Sequence, residues 1–190
     1  MATPFPIILP ANSVLGRLAL TAGDAEAIPF AALAAALGLP FLNSPVIKRK
    51  PADQPQASNT VLANDNDLFF AIAANEEWVA TFNLFAGDVL SSTGLKLAIV
   101  TPAGATLQAD ALAANSDKSA IGGISSTTSG ANFGFTTANL SGITSSIIIR
   151  VWVLNGTTAG TIQLQWAQST TSVTNTTLHK GSFMQATRAT

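Results

Sequence analysis

The sequence predicts an all-β fold, a jelly-roll-like β-sandwich of about ten short strands behind an extended N-terminal arm carrying one short helix. Three observations predict it. From Val46 onward, short apolar or alternating segments recur between clusters of Gly, Asn, Ser and Pro. Before that point prolines punctuate the chain, and the one stretch with helical periodicity is only about two turns long. Hydrophobic residues make up 47% of the chain and charged residues 10%, so it can bury enough surface to offset the entropy of ordering.

The arm runs from Met1 to about Pro45. Pro4, Pro6 and Pro10 surround Phe5-Pro6-Ile7-Ile8-Leu9, a pattern that favours extended or polyproline-like backbone. Thr21-Ala22-Gly23-Asp24 reads as a turn. Pro29 fits the first position of a helix through Leu37, Gly38 its stop, and Pro40 lies just beyond. Phe30, Leu33, Ala34 and Leu37 form one narrow apolar stripe. A helix this short does not stand alone in water, so the arm must dock on something. Its candidate anchoring and assembly residues are Val14, Leu15, Arg17, Ile28, Phe30, Leu33 and Leu37. A secretory signal is a poor reading of this stretch, because no basic segment precedes a continuous apolar core.

The body, residues 46–190, reads as strands near Val46–Lys50, Thr60–Leu62, Leu68–Ala73, Trp78–Phe85, Leu95–Val100, Ala105–Ala109, Asn132–Thr136, Ser146–Leu154, Thr161–Gln168 and Ser182–Thr187. The best of them is the run from Ile147 to Leu154. Ile147, Ile149, Val151 and Val153 share one face, and Ile148, Arg150, Trp152 and Leu154 the other. Both faces are mostly apolar, so a second sheet should cover one and a neighbour the other. In the following strand Ile162, Leu164 and Trp166 alternate with Gln163, Gln165 and Ala167, the mark of a half-buried strand. Ser119 through His179 carry a single formal charge, Arg150. Solvated sheet edges normally carry charge against further pairing, so its absence points to contact with other subunits.

The same composition excludes several classes of function. A net charge of -1 leaves no electrostatic footprint for nucleic acid. No cysteine is present, which removes thiolate metal sites and a thiol nucleophile. A single histidine argues against a histidine-based triad or a multi-histidine metal centre. No run approaches the ~20 apolar residues that span a bilayer. Neither a cofactor nor membrane insertion is expected, and the reading is non-enzymatic.

Individual candidates weigh toward structural roles. Asp65 and Asp67, with Asn64 and Asn66, offer oxygen ligands for calcium, but the spacing does not continue into a calcium loop and a turn is the better reading. Glu76 and Glu77 are adjacent carboxylates whose side chains should face opposite sides of a strand entry, unable to converge on one substrate. His179 has no acidic neighbour in sequence and reads as an exposed or hydrogen-bonded loop residue. Trp78, Trp152 and Trp166 could stack sugars, yet their aliphatic neighbours favour core packing for all three. Asn139-Leu140-Ser141, Asn155-Gly156-Thr157 and Asn175-Thr176-Thr177 match the glycosylation pattern, as expected by chance in an Asn/Thr-rich chain.

Two groups of motifs resemble phage virion proteins. Pro10-Ala11-Asn12-Ser13-Val14-Leu15-Gly16-Arg17, then Ala25-Glu26-Ala27-Ile28-Pro29-Phe30 and Leu33-Ala34-Ala35-Ala36-Leu37-Gly38, are similar to a repeat of tail-fibre and tail-tip proteins of tailed phages. That resemblance implies a Val-Leu-Gly-Arg strand and a Glu-x-Ile strand flanking a Gly-rich turn, often in trimeric shafts. Val46-Ile47-Lys48-Arg49-Lys50-Pro51-Ala52-Asp53, Leu68 through Glu76, Pro102-Ala103-Gly104-Ala105-Thr106, Leu164-Gln165-Trp166-Ala167-Gln168 and the Gly181-Ser182 ending resemble small phage structural proteins with a C-terminal β-sandwich. The implied function is a short tail fibre or tail-tip component, homotrimeric, assembled in the bacterial host cytoplasm into the virion. Its partners would be itself, other virion proteins and a host-surface glycan or receptor. The alternatives are a capsid decoration protein whose arm laces capsomer junctions, and a carbohydrate-binding module.

Overall fold

A computed structural model describes residues 13–16, 26–29, 32–33, 45–88, 93–114, 121–131, 133–135 and 144–189. The chain divides into two compact units, Met1–Ser44 and Pro45–Thr190.

In the first unit β1 (Ser13–Gly16) and β2 (Glu26–Pro29) pair antiparallel, with Val14 opposite Ile28 and Leu15 opposite Ala27. Ile28 is buried. Pro29 does not open a helix as expected. It ends β2 opposite Ser13, a strand terminus where its missing N–H costs no ladder bond. Ala32 and Leu33 are helical, and the rest of the expected helix lies outside the described residues.

The second unit contains β3 (Val46–Arg49), β4 (Gln54–Gln56), β5 (Ala63–Ile72), β6 (Glu77–Asp88), β7 (Leu95–Val100), β8 (Thr106–Ala114), β9 (Ile121–Ser126), β10 (Phe133–Phe135), β11 (Thr144–Leu154), β12 (Gly160–Gln168), β13 (Thr176–Leu178) and β14 (Phe183–Arg188). Its pairings are nested. β8 pairs with β9, β7 with β10, β6 with β11, and β5 with β12, all antiparallel. This is one long hairpin folded over on itself into two sheets, the jelly-roll arrangement. The smaller sheet has the order β10-β7-β12-β5. The larger contains β6-β11-β8-β9, and the edge of β6 is extended by β14 and β3 along one stretch and by β13 and β4 along another.

Period-two alternation explains why the two sheets close on each other. Phe82 and Leu84 of β6, Ile147, Ile149 and Val153 of β11, Leu95, Leu97 and Ile99 of β7, and Ile162, Leu164 and Trp166 of β12 are all buried in one core. Phe70 and Trp78 meet there with ring centroids 5.2 Å apart. The large sheet supplies small residues opposite this bulk, with Ala109, Ala111 and Ala113 lining β8.

The structure alters three expectations about this unit. Thr60–Leu62 is not a strand. It belongs to a loop over the smaller sheet, where the Lys96 ammonium donates to the Thr60 carbonyl. The Asn64–Asp67 turn lies inside β5 as an irregularity, because Gln163 pairs with Phe69 while Gln165 pairs with Asn64. Trp152 leaves the core altogether, on the outward face of β11.

Candidate functional site

Three ion-paired arrangements stand out in the second unit, and the first lies just after β3. Lys50 is fully buried, and its Nζ donates to Asp65 Oδ2 at 2.8 Å, Asp67 Oδ2 at 3.1 Å and Gln54 Oε1 at 2.6 Å. Asp65 Oδ1 accepts the backbone N–H groups of Asp67 and Leu68, which shapes the irregular start of β5. The oxygens considered for calcium therefore hold an ammonium ion from the chain itself. Among the described residues no group of His, Cys, Asp or Glu is arranged to hold a metal.

Glu76 and Glu77 point to different partners, as alternation requires. Glu76 Oε2 accepts the Trp78 indole N–H at 2.9 Å and the Ala73 N–H at 2.7 Å, and Arg188 lies 3.0 Å from its other oxygen. The indole donor first, then the backbone N–H and the guanidinium, hold this carboxyl below the ordinary glutamate range. Glu77 accepts the Trp152 indole N–H at 2.7 Å on the outward side. His179, without an acidic neighbour in sequence, lies 3.5 Å from Asp53 through Nδ1. The Lys180 N–H, and then His179, draw the Asp53 carboxyl below its usual range. None of these clusters joins a nucleophile, a base and an open position for substrate.

At one end of the sandwich the β5–β6 and β11–β12 connections are tied together. Asn155 is buried, and its Nδ2 donates to the carbonyls of Ala73 and Thr158. Asn75 adopts φ 59° there and donates its N–H to the Gly156 carbonyl. The matching sequon at Asn155 is thus a buried structural amide.

The outward face of the large sheet is open. Ladder register places its side chains in rows. One row runs Thr187, Val79, Trp152, Gln108; the next Ile47, Gln185, Thr81, Arg150, Asp110, Ser125; the third Arg49, Phe183, Asn83, Ile148, Leu112. Ile47 is 62% exposed, Val79 50%, Leu154 44% and Phe85 36%. Among the described residues Arg150 and Asp110 bring charge to its centre, directly opposite each other across β11 and β8, with Glu77 and Arg49 nearer its margins. The corresponding face of the small sheet is less open: Ala98 and Ala167 are fully buried, and Gln163 and Gln165 are hydrogen-bonded to neighbouring backbone and Asn64.

The expected anchoring residues fall in the first unit. Val14, Leu15 and Ile28 belong to the paired strands, and Leu33 to the helical pair, whereas Arg17, Phe30 and Leu37 lie outside the described residues. The outward sheet face was visible in sequence only at Ile148, Arg150, Trp152 and Leu154. Val79, Phe85 and Ile47 join it through pairing with residues distant in sequence, and no local signal marks them.

No protein-family model matches the chain, and no curated protein matches it. Among solved structures it is similar to the infectious bursal disease virus VP2 subviral particle, at 13% identity and TM-score 0.21, covering 97% of this chain and 44% of that one. It is similar to the infectious bursal disease virus Gx strain structure at 12% identity and TM-score 0.19, over 77% and 41%, and to the Gt strain structure at 9% and 0.18, over 99% and 44%. The chain thus spans less than half the length of these viral chains. The jelly-roll assignment rests on the strand order of this chain itself.

Proposed function

We propose that this chain is a non-enzymatic structural protein of a tailed-phage particle, a short tail-fibre or tail-tip component that works as a homo-oligomer. In this reading the arm to about Pro45 anchors the protein and the jelly roll projects from it. The fold alone does not decide the matter, since jelly rolls serve viral capsids, lectins and enzymes alike. What supports the reading is the outward face of the large sheet, whose exposed Val79, Leu154, Phe85 and Ile47 suit a permanent member of an assembly. The separate N-terminal unit, with its own strand pair, suits a docking arm.

The test is a count of copies per major capsid subunit in purified virions, made with the full chain and with residues 1–44 deleted. A few to some tens of full-length copies per particle, and none of the truncated protein, is the expected result. Hundreds of copies would instead make it a capsid decoration protein. Absence from particles would refute a virion role, and normal incorporation of the truncated chain would refute the anchor.

A further inference from the structure

From the residue order on the outward face of the large sheet, we infer that a second copy of this chain docks there face to face, about a twofold axis running along the strands between β8 and β11. The inference deepens the assembly part of the reading above by naming the surface, the partner and the symmetry.

Charge carries the argument. Arg150 and Asp110 are register partners on adjacent strands. Asp110 accepts a hydrogen bond from the Ser125 hydroxyl at 2.6 Å, while Arg150 makes no ion pair among the described residues. A twofold axis between their strands exchanges the two columns, so each Arg150 meets the Asp110 of the other copy, and both pairs form at once. The same operation sets Ile148 over Leu112, apolar on apolar, because those two are also register partners. An axis running across the strands at this level would instead stack Arg150 on Arg150. A threefold axis makes a heterologous contact, in which one patch meets a different one and this reciprocal pairing is lost. At this face the residues therefore fit a dimer.

The area suffices. Four overlapping strands spaced ~4.8 Å apart, each contributing about eight residues of ~3.3 Å rise, give roughly 500 Å² of sheet plane per copy. Side-chain relief raises the accessible area from there toward the ~800 Å² per partner of an ordinary specific interface. Two twisted sheets pack in this manner at about 30° with interdigitating side chains.

Sedimentation equilibrium on the full chain tests the inference, with circular dichroism and a thermal melt checking the fold of each variant. The wild type should reach twice the 19.4 kDa chain mass in a concentration-dependent way. Arg150→Glu should weaken pairing by at least about tenfold, as should Asp110→Arg, since each sets like charges against one another. The double swap Arg150→Glu/Asp110→Arg should recover most of the affinity with no change in fold. A mass unaffected by either single variant overturns the inference, as does a trimer, or single-variant losses that the double swap does not recover. A monomer that binds glycans through Trp152, losing the signal on Trp152→Ala, overturns it in favour of sugar recognition. Particle incorporation is measured separately, so failure of the dimer leaves the virion reading to its own test.

Discussion

Removing the Lys50 ammonium isolates the energetics of the buried cluster that joins β3 to β5. Lys50→Met keeps the length and apolar stem of the side chain but deletes a charge that three oxygens share. Breaking a buried ion pair by removing one partner costs about 3–5 kcal/mol, because the other charge is stranded. Two features place this site at the lower end of that range. Asp65 keeps two backbone donors on Oδ1, and Asp67, 30% exposed, can turn to water. We therefore expect a loss of about 3 kcal/mol, equivalent to a fall in Tm of roughly 6–12 °C for a domain of this size.

The assay is urea unfolding followed by tryptophan fluorescence, with the slope checked for constancy. Adding Asp65→Asn neutralises the stranded charge while keeping an oxygen for the Asp67 and Leu68 N–H groups. The double variant should recover at least half of the loss, a coupling that only contacting groups display. A Lys50→Met change within about 0.5 kcal/mol, or simple additivity in the double variant, would refute the reasoning.

Trp166→Ala should cost about 3–5 kcal/mol as a core truncation, and Trp152→Ala only about 1–2, since its indole lies on the outward face and loses chiefly the Glu77 hydrogen bond; paired unfolding curves compare them. Glu76 has a folded pKa below its ordinary value near 4.5, so its stabilisation is present above that pH and is lost as pH falls through the folded value. Glu76→Gln should accordingly lower stability at neutral pH and flatten its decline in acid, read from melts across that range. Gly156→Ala would bring a Cβ to 2.8 Å from the Gly104 carbonyl oxygen, a backbone atom that cannot swing aside, and should cost about 1–3 kcal/mol in the same unfolding assay.

Sequence legibility tracked the local signal. Leu95–Val100 is a strand over the expected residues, and the run ending at Leu154 extends by only two residues, because both carry continuous β-branched and aliphatic patterning. β9 carries no local strand signal, since Ile121-Gly122-Gly123-Ile124 offers neither alternation nor bulk, nor does β4, since Gln54-Pro55-Gln56 resembles a turn. Both are strands only because a neighbour pairs with them. Trp152 departs from the expected core position for a related reason. Alternation separated it correctly from Ile149 and Val151, but aliphatic neighbours such as Leu154 made its face look like core when they too point outward. The ligands of Lys50 were equally invisible, since Asp65 lies 15 residues away and the register that unites them is set by tertiary pairing.

The placement of charge links the fold to assembly. Lys50 with Asp65 and Asp67 ties the segment after β3 to β5, Glu76 with Arg188 ties the end of β14 to the start of β6, and Asp53 with His179 joins the segments flanking β4 and β13. All three links serve strands lying outside the eight-stranded jelly roll, which extend the β6 edge where bare ladder groups would otherwise invite pairing. With charge concentrated there, the centre of the large sheet's outward face keeps only the Arg150 and Asp110 pair among apolar and neutral side chains. In the proposed dimer the pair supplies specificity, since one opposed cation and anion fix register and symmetry while the apolar residues around them supply contact area. Neutralising Arg150 as Arg150→Gln should therefore weaken that pairing by less than the roughly tenfold expected of Arg150→Glu, read by sedimentation equilibrium.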